Sequence, residues 1–295
     1  MIHIETLNSD LLPRPSRSKF SGSKDKRRLI FVGDIHGCKD ELKALLKKVR
    51  FNEATDHLVT AGDMVNKGPD TAGVIDILRQ KKASCVRGNH EDRILLMADH
   101  MSSSTLHASN PSAGASYRDN NILMSPESPE MTLAKSLSKN QLAYLPSCPV
   151  ILKVGKMKSL GDIVVVHAGL VPGLRLESQD PASVMNMRII DLSTHVPSKA
   201  HEREGSLPWA KLWNKYQRLL PTQNNVFSLR HLREWKQSDP TTVVYAHDSK
   251  RGLQIDKYTK GLDTGCVKGG HLTALVLGDG GSQDIVQVKC KKYRE

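Results

Sequence analysis

The chain has 295 residues, enough to bury a full core as one large domain or two small ones. Its 38% hydrophobic and 25% charged residues describe an ordinary globular composition, and no apolar run reaches the length of a membrane helix or forms the core of a signal peptide. The net charge of +12 favours a polyanionic partner without naming one, whereas 4% aromatic residues argue against a base-stacking platform for single-stranded nucleic acid.

Residues 1–27, with "RPSRSKFSGSKDKRR", are polar, basic and aperiodic, and are expected to form a flexible tail ahead of a domain over 28–295. A strand begins at "LIFV" and stops at Gly33-Asp34. "DELKALLKKV" follows, placing Leu42, Leu45, Leu46 and Val49 on one helical face. "HLVTAGD" reads as the next strand and "DTAGVIDILRQ" as the next helix, before "SCVRGNHED" closes a third strand and opens a helix through "RILLMAD". Such alternation predicts an α/β core with a largely parallel or mixed sheet. The stretch near 101–131, containing "SSSTLHASNPSAGAS" and "SPESPE", breaks the pattern and is expected to be a mobile insertion. Order returns at "DIVVVHAGL", passes "LPWAKLWNKYQRLL", and ends in the strands "TTVVYAHD", "HLTALVLGD" and "DIVQVKC"; no internal repeat is present.

The cysteines Cys38, Cys85, Cys148, Cys266 and Cys290 are odd in number and lack CxxC spacing. They predict no disulfide framework and a reducing compartment. Cys38 and Cys266 read as small packing residues. Placement is expected to be cytoplasmic if the chain is complete, and vacuolar if an N-terminal membrane anchor has been removed.

Chemistry gathers where apolar runs end. Asp34 and His36 follow the first strand, Asp63 the second, Asn89 and His90 the third, His167 follows "IVVV", and His247 follows "VVYA". Carboxyl ends of strands are where α/β sheets place their sites. Burying so many polar groups without partners would cost several kcal/mol each. Converging oxygen and nitrogen donors without cysteine suit a divalent transition metal.

The blocks "GDIHG", "GDMVNKG", "GNHED", "HAG" and "AHD" resemble the signatures of calcineurin-like metallophosphoesterases, in an order that covers the chain from Leu29 onward. "GLDTGCVKGGHLTALVL" resembles the closing block of symmetrical dinucleoside tetraphosphatases. "HAGLVPG", "DPASVMNMR" and "PWAKLWNKYQ" look most like a fungal branch that includes zinc-dependent endopolyphosphatases. The resemblance implies a sandwich of two mixed β-sheets flanked by helices and a pair of divalent ions, whether zinc, manganese, cobalt or iron. It implies that Asp34 and His36 hold one ion and Asn89, His167 and His247 the other, with Asp63 bridging both. Such a pair would clamp a phosphoryl group and activate water. His90 would act as general acid or phosphoryl donor. Arg87 would orient phosphate, a salt bridge to a nearby carboxylate being its alternative role. Lys67 aligns with a phosphate-gripping arginine of protein phosphatases, supplying charge without the bidentate fork. Arg188, Lys250 and Arg251 are further candidates to line an anionic groove.

Protein serine/threonine phosphatases of this superfamily carry an aspartate where this chain has Asn66. Without that carboxylate His90 loses a partner that favours its protonated form. A phosphate leaving group, ionising near about pH 6, tolerates that loss better than an alkoxide does. Phosphoanhydride hydrolysis is therefore expected, with internally cut polyphosphate ahead of dinucleoside polyphosphates and phosphoproteins. A weakly catalytic metalloprotein that binds polyanions such as RNA through the basic tail is the reading from another class. A polyanionic phosphate partner is expected, with no specific nucleic-acid binding. Oligomeric state is not legible.

Overall fold

The computed structural model describes residues 3–13, 27–107, 128–157, 160–226 and 240–294. The first half contains β1 (Ile4–Thr6), β2 (Arg28–Val32), α1 (Lys39–Lys48), β3 (Asp56–Thr60), α2 (Thr71–Gln80), β4 (Ser84–Cys85), α3 (Asn89–His107), α4 (Pro129–Ser136) and α5 (Lys139–Tyr144). The chain continues through β5 (Ile151–Met157), β6 (Gly161–Val166), α6 (Pro181–Asn186), β7 (Ile189–Asp191), β8 (Pro197–Ser198), β9 (Ser206–Pro208) and α7 (Trp209–Val226). It closes with β10 (Thr241–Tyr245), β11 (Gln254–Ile255), β12 (Thr259–Gly261), β13 (His271–Leu277) and β14 (Gln283–Lys289).

The strands form two large sheets, ordered β14-β13-β2-β3-β4 and β1-β5-β6-β10-β12-β11, and a small sheet β8-β7-β9. Alternation within single strands explains the layering, because successive side chains leave a strand on opposite faces. Leu29 and Phe31 of β2 pack with Val165 of β6 and Val244 of β10, filling the space between the two large sheets. Ile30 and Val32 turn the other way, onto Leu42 and Leu45 of α1 and Val74 and Leu78 of α2. On the far side, Val164 and Val166 of β6 meet Trp209 and Trp213 of α7. The result is the sandwich of two mixed sheets flanked by helices implied by the signature blocks.

Within each large sheet a parallel run points its carboxyl ends toward the same region. In one, β2, β3 and β4 are parallel; in the other, β6, β10 and β12 are parallel. Asp34, Asp63 and Asn89 follow the first run, and His167, His247 and Asp263 follow the second. Six strand ends from two sheets thus meet at one edge of the sandwich.

Three expectations are corrected. The tail expected over 1–27 is not structureless at its start, because Ile4–Thr6 pairs in parallel with β5 as an edge strand; residues 14–26 lie outside the described residues. Of the insertion expected near 101–131, residues 101–107 continue α3 and Pro129 opens α4, whose Ser128 cap accepts a bond from the Met131 N–H. A Ser cap followed by Pro is a strong helix start that the polar composition masked. The remainder of that insertion lies outside the described residues.

Four of the five cysteines pair. Cys85–Cys148 and Cys266–Cys290 are disulfides spanning 63 and 24 residues, and only Cys38 is free. The backbone explains both contacts: Arg87 N–H donates to Pro149 O at 2.8 Å beside the first bridge, and Cys290 N–H donates to Gly270 O at 3.0 Å beside the second. The pairing removes the ground for placing the chain in a reducing compartment.

Denatured but unreduced protein should expose one thiol per chain, and reduced protein five. Reduction should lower the urea midpoint, each bridge contributing about 2–4 kcal/mol, more for the longer loop. Five reactive thiols before reduction would overturn the pairing.

Candidate metal centre

Asp63 occupies the centre of the site. Its carboxylate is buried at 2% exposure and presents one oxygen to each of two donor groups. Oδ2 lies 3.5 Å from His36 Nε2, which is also 3.7 Å from Asp34 Oδ2. Oδ1 lies 3.4 Å from His167 Nε2, which in turn is 3.1 Å from Asn89 Oδ1 and 3.2 Å from His247 Nδ1. Asp34 and His36 thus gather on one side of Asp63, and Asn89, His167 and His247 on the other.

Backbone carbonyls set the tautomers of three imidazoles. His36 Nδ1–H donates to Val65 O at 3.0 Å, His167 Nδ1–H to Ala61 O at 2.8 Å, and His247 Nε2–H to Asn186 O at 3.1 Å. In each ring the other nitrogen is left as a lone pair facing the Asp63 region, the tautomer that a carbonyl behind the ring enforces on a metal-ligating histidine. His90 is held the opposite way. Its Nδ1 accepts from Asn66 Nδ2 at 3.2 Å, so its proton sits on Nε2, 3.9 Å from Asp63 Oδ2. A nitrogen carrying a proton offers no lone pair to a metal. His90 therefore presents an N–H rather than a lone pair to the cavity it lines, although it lies close enough to be counted among the ligands.

The charges favour the same reading. Burial pushes His36 down to about 3 despite nearby Asp63, and burial with His167 and Arg188 pushes His247 to about 2. Both rings are thus neutral and free to ligate near neutral pH. Burial opposes ionisation of Asp63, yet His167, His90 and His36 hold its carboxyl well below the usual range. Burial, followed by Asp263 and Asp63, pushes Asp34 well above that range. For His167 burial is outweighed by Asp63 and the Ala61 carbonyl, which raise it. The carboxyl groups of Asp34, Asp63 and Asp263, crowded among these imidazoles, form a donor set suited to divalent cations. The residues present fit a pair of divalent ions.

The backbone here departs from ordinary geometry. His36, Asp63, Asn66, Lys67 and His247 all have positive φ, between 45° and 73°. Such residues cost of order 1–3 kcal/mol each and survive where their surroundings over-determine them. Glu91, fully buried, supplies much of that determination. Its Oε2 accepts from the N–H groups of Asp63 and Gly88, both at 2.8 Å. Its Oε1 accepts from Met64 at 2.8 Å and Val65 at 3.1 Å. Burial and Asp63 push its carboxyl up to about 7, while bonds from Gly88 and Val65 oppose the shift. Gly88 is required beside it, since an added Cβ would fall 2.3 Å from Asp63 Oδ1.

The centre opens into a cavity of about 320 Å³. Lys67, Arg188 and Lys250 line it, with Lys67 Nζ 2.8 Å from His36 Nε2 and Arg188 donating to His247 O at 3.3 Å. Arg251 lies outside the lining, bonded to Asp248 and to His201 O. Arg87 is also outside it: Nη1 is 3.6 Å from Asp92 and Nη2 donates to Pro146 O. That is the salt-bridge alternative open to it in the sequence. Residues not singled out there also contribute. Arg93, Lys199 and Lys268 line the cavity, Asp263 is buried against Asp34, and Glu91 and Glu130 brace the surrounding loops. "GNHED" contained a signal for Glu91, an acid inside a motif otherwise read as ligands. The others had no local signal.

Known proteins resemble this chain along most of its length. The family model for calcineurin-like phosphoesterases matches residues 27–251. The chain is 29% identical to the symmetrical bis(5'-nucleosyl)-tetraphosphatase of Nitrosospira multiformis, over 88% of this chain and 94% of that protein. It is 27% identical to the zinc-dependent endopolyphosphatase of Saccharomyces cerevisiae, over 90% of this chain and 81% of that one. A solved structure described as a candidate diadenosine tetraphosphatase aligns with a TM-score of 0.67 at 28% identity, covering 99% of both chains.

Asp63→Asn should remove most bound metal, measured by elemental analysis after dialysis, together with most turnover. Unchanged occupancy and full activity would overturn the sharing of Asp63 between two donor groups.

Proposed function

Because the chain belongs to the calcineurin-like phosphoesterase family, and so is a metal-dependent phosphohydrolase, we propose that it cleaves phosphoanhydride bonds and that its substrate is inorganic polyphosphate, cut internally. The observation that carries the substrate is the cavity lining. Arg93, Arg188, Lys199, Lys250 and Lys268 join Lys67 around the metal ligands, and among the described residues no Phe, Tyr or Trp lines the cavity. Such a cationic wall suits a chain of phosphates, and its rings are the imidazoles of His36, His90, His201 and His247 rather than broad Phe, Tyr or Trp faces.

Two divalent ions held by Asp34, His36, Asp63, Asn89, His167 and His247 would supply Lewis-acid charge and an activated water. Zinc is the metal proposed, on the printed name of the yeast relative. Lys67 and Arg188 would hold phosphoryl oxygens, and Lys250 and Arg93 the chain beyond them. His90, with its proton on Nε2 facing the cavity, would donate to the leaving oxygen. A phosphate leaving group ionises near about pH 6 and asks little of such a donor, which accords with an amide rather than a carboxylate behind His90. Arg87 would act by anchoring the turn that presents Asn89 and His90, and Arg251 by holding Asp248 near Arg188.

Dinucleoside polyphosphates remain the second reading, supported by similarity to the Nitrosospira multiformis protein along most of both chains. The two disulfides support an oxidising compartment.

On gels, long polyphosphate should pass through a smear of shorter chains before orthophosphate accumulates, and kcat/KM should exceed that for diadenosine tetraphosphate. Rates on long chains should fall as salt rises, because exposed cations are screened. Prompt orthophosphate release from chains that stay long would indicate an exo-acting enzyme. A preference for diadenosine tetraphosphate would install the second reading.

A further inference from the structure

His90 is oriented by a chain of hydrogen bonds that ends on a residue far from it in sequence. Asn66 Nδ2 lies 3.2 Å from His90 Nδ1 and 3.1 Å from Glu130 Oε1. Asn66 Oδ1 accepts the Lys67 N–H at 2.7 Å. The Lys67 N–H can only donate and a carboxylate can only accept, so these two neighbours fix which end of the Asn66 amide faces which way. The NH2 end is turned to Glu130 and His90, with one hydrogen for each. Glu130 lies in the first turn of α4, where the helix dipole suits an acid and the Ser128 cap holds the turn. Asn66 is itself confined, with φ of 67° and its own N–H bonded to Thr71 Oγ1 at 3.1 Å.

We infer that Glu130 is a positioning residue which, through Asn66, fixes His90 as an Nε2–H donor aimed into the metal cavity. The inference rests on the reading of His90 as donor to the leaving oxygen. It assigns to α4 a part in the reaction that no signature block carries. Glu130 never touches substrate. It holds the amide, the amide occupies Nδ1, and the proton is left on Nε2. With Glu130 removed, the Asn66 NH2 loses its second acceptor, and the Lys67 N–H is the one remaining bond that sets which way the amide faces. Its oxygen could then face His90, which would move the proton to Nδ1 and leave a lone pair on Nε2. In that state His90 cannot donate and competes as a metal ligand.

The test reads the tautomer directly, without substrate. Protein with 15N-labelled histidine is examined metal-free and zinc-loaded by long-range proton–nitrogen correlation, and the His90 signals are assigned by their loss in His90→Gln. The native protein and Glu130→Gln, which keeps an acceptor oxygen, should show His90 protonated on Nε2. Glu130→Ala should show an Nδ1–H population. A native His90 protonated on Nδ1, or a Glu130→Ala spectrum identical to native, overturns the inference. Kinetics on two monoester probes supply a second readout. With an alkyl phosphate, a poor leaving group, Glu130→Ala should lower kcat about tenfold with KM changed less than about twofold, and Glu130→Gln should recover it. With p-nitrophenyl phosphate the loss should be much smaller. Equal losses on both probes would assign Glu130 a purely structural role and overturn the inference. If polyphosphate proves not to be a substrate while the tautomer result stands, the substrate reading fails and the positioning role survives.

Discussion

A carboxylate enclosed at the meeting point of two sheets, with an oxygen turned to each side, is the constraint on which this molecule is built. Asp63 is nearly inaccessible to water, and its two oxygens lie 3.5 Å from His36 Nε2 on one side and 3.4 Å from His167 Nε2 on the other. Everything around it serves that placement. β2, β3 and β4 deliver Asp34, Asp63 and Asn89 from one sheet, and β6 and β10 deliver His167 and His247 from the other. The two runs must therefore be packed face to face at fixed separation, which the apolar layer of Phe31, Val165 and Val244 secures.

Holding that arrangement is costly to the backbone, and the cost is concentrated. Five non-glycine residues of the site adopt positive φ. Three are Asp, Asn or Lys in the single turn after β3, and Asp and Asn are among the residues that tolerate it best. Glu91 offsets the strain with four backbone N–H groups on one carboxylate, and hydrogen bonds to charged groups contribute about 1.5–3 kcal/mol each. The same turn carries Asn66 and Lys67, so one device sets the Asp63 carboxylate, the amide behind His90 and a lysine of the cavity wall. Local rigidity here is a condition of chemistry, since donors must stand ready before substrate arrives.

Electrostatics separates two kinds of histidine. His36, His167 and His247 each donate a hydrogen bond to a carbonyl and keep a lone pair for the centre; His90 accepts a hydrogen bond from an amide and keeps its own N–H for the cavity. Distance alone groups His36, Asp63 and His90 as possible ligands of one ion. Hydrogen bonding removes His90 from that group. Beyond it, Lys67, Arg93, Arg188, Lys199, Lys250 and Lys268 give the cavity a cationic wall.

Much of this was legible in the linear order of residues. Polar groups at the ends of apolar runs located Asp34, Asp63, Asn89, His167 and His247, because strands are short and a ligand placed one or two residues past the end of a strand is a local feature. Residue types also made a divalent metal site the best reading, since donor chemistry belongs to the side chain itself. The pairings Cys85–Cys148 and Cys266–Cys290, the strand at Ile4–Thr6, the carbonyls that set the imidazole tautomers and the contact of Glu130 with Asn66 were decided only by the tertiary structure. Glu130 and Asn66 are 64 residues apart, and His167 and Ala61 are 106 apart. No periodicity or motif spans such distances. The chain order names the candidate donors, and the packing of two sheets decides which ring nitrogen of each histidine carries its proton.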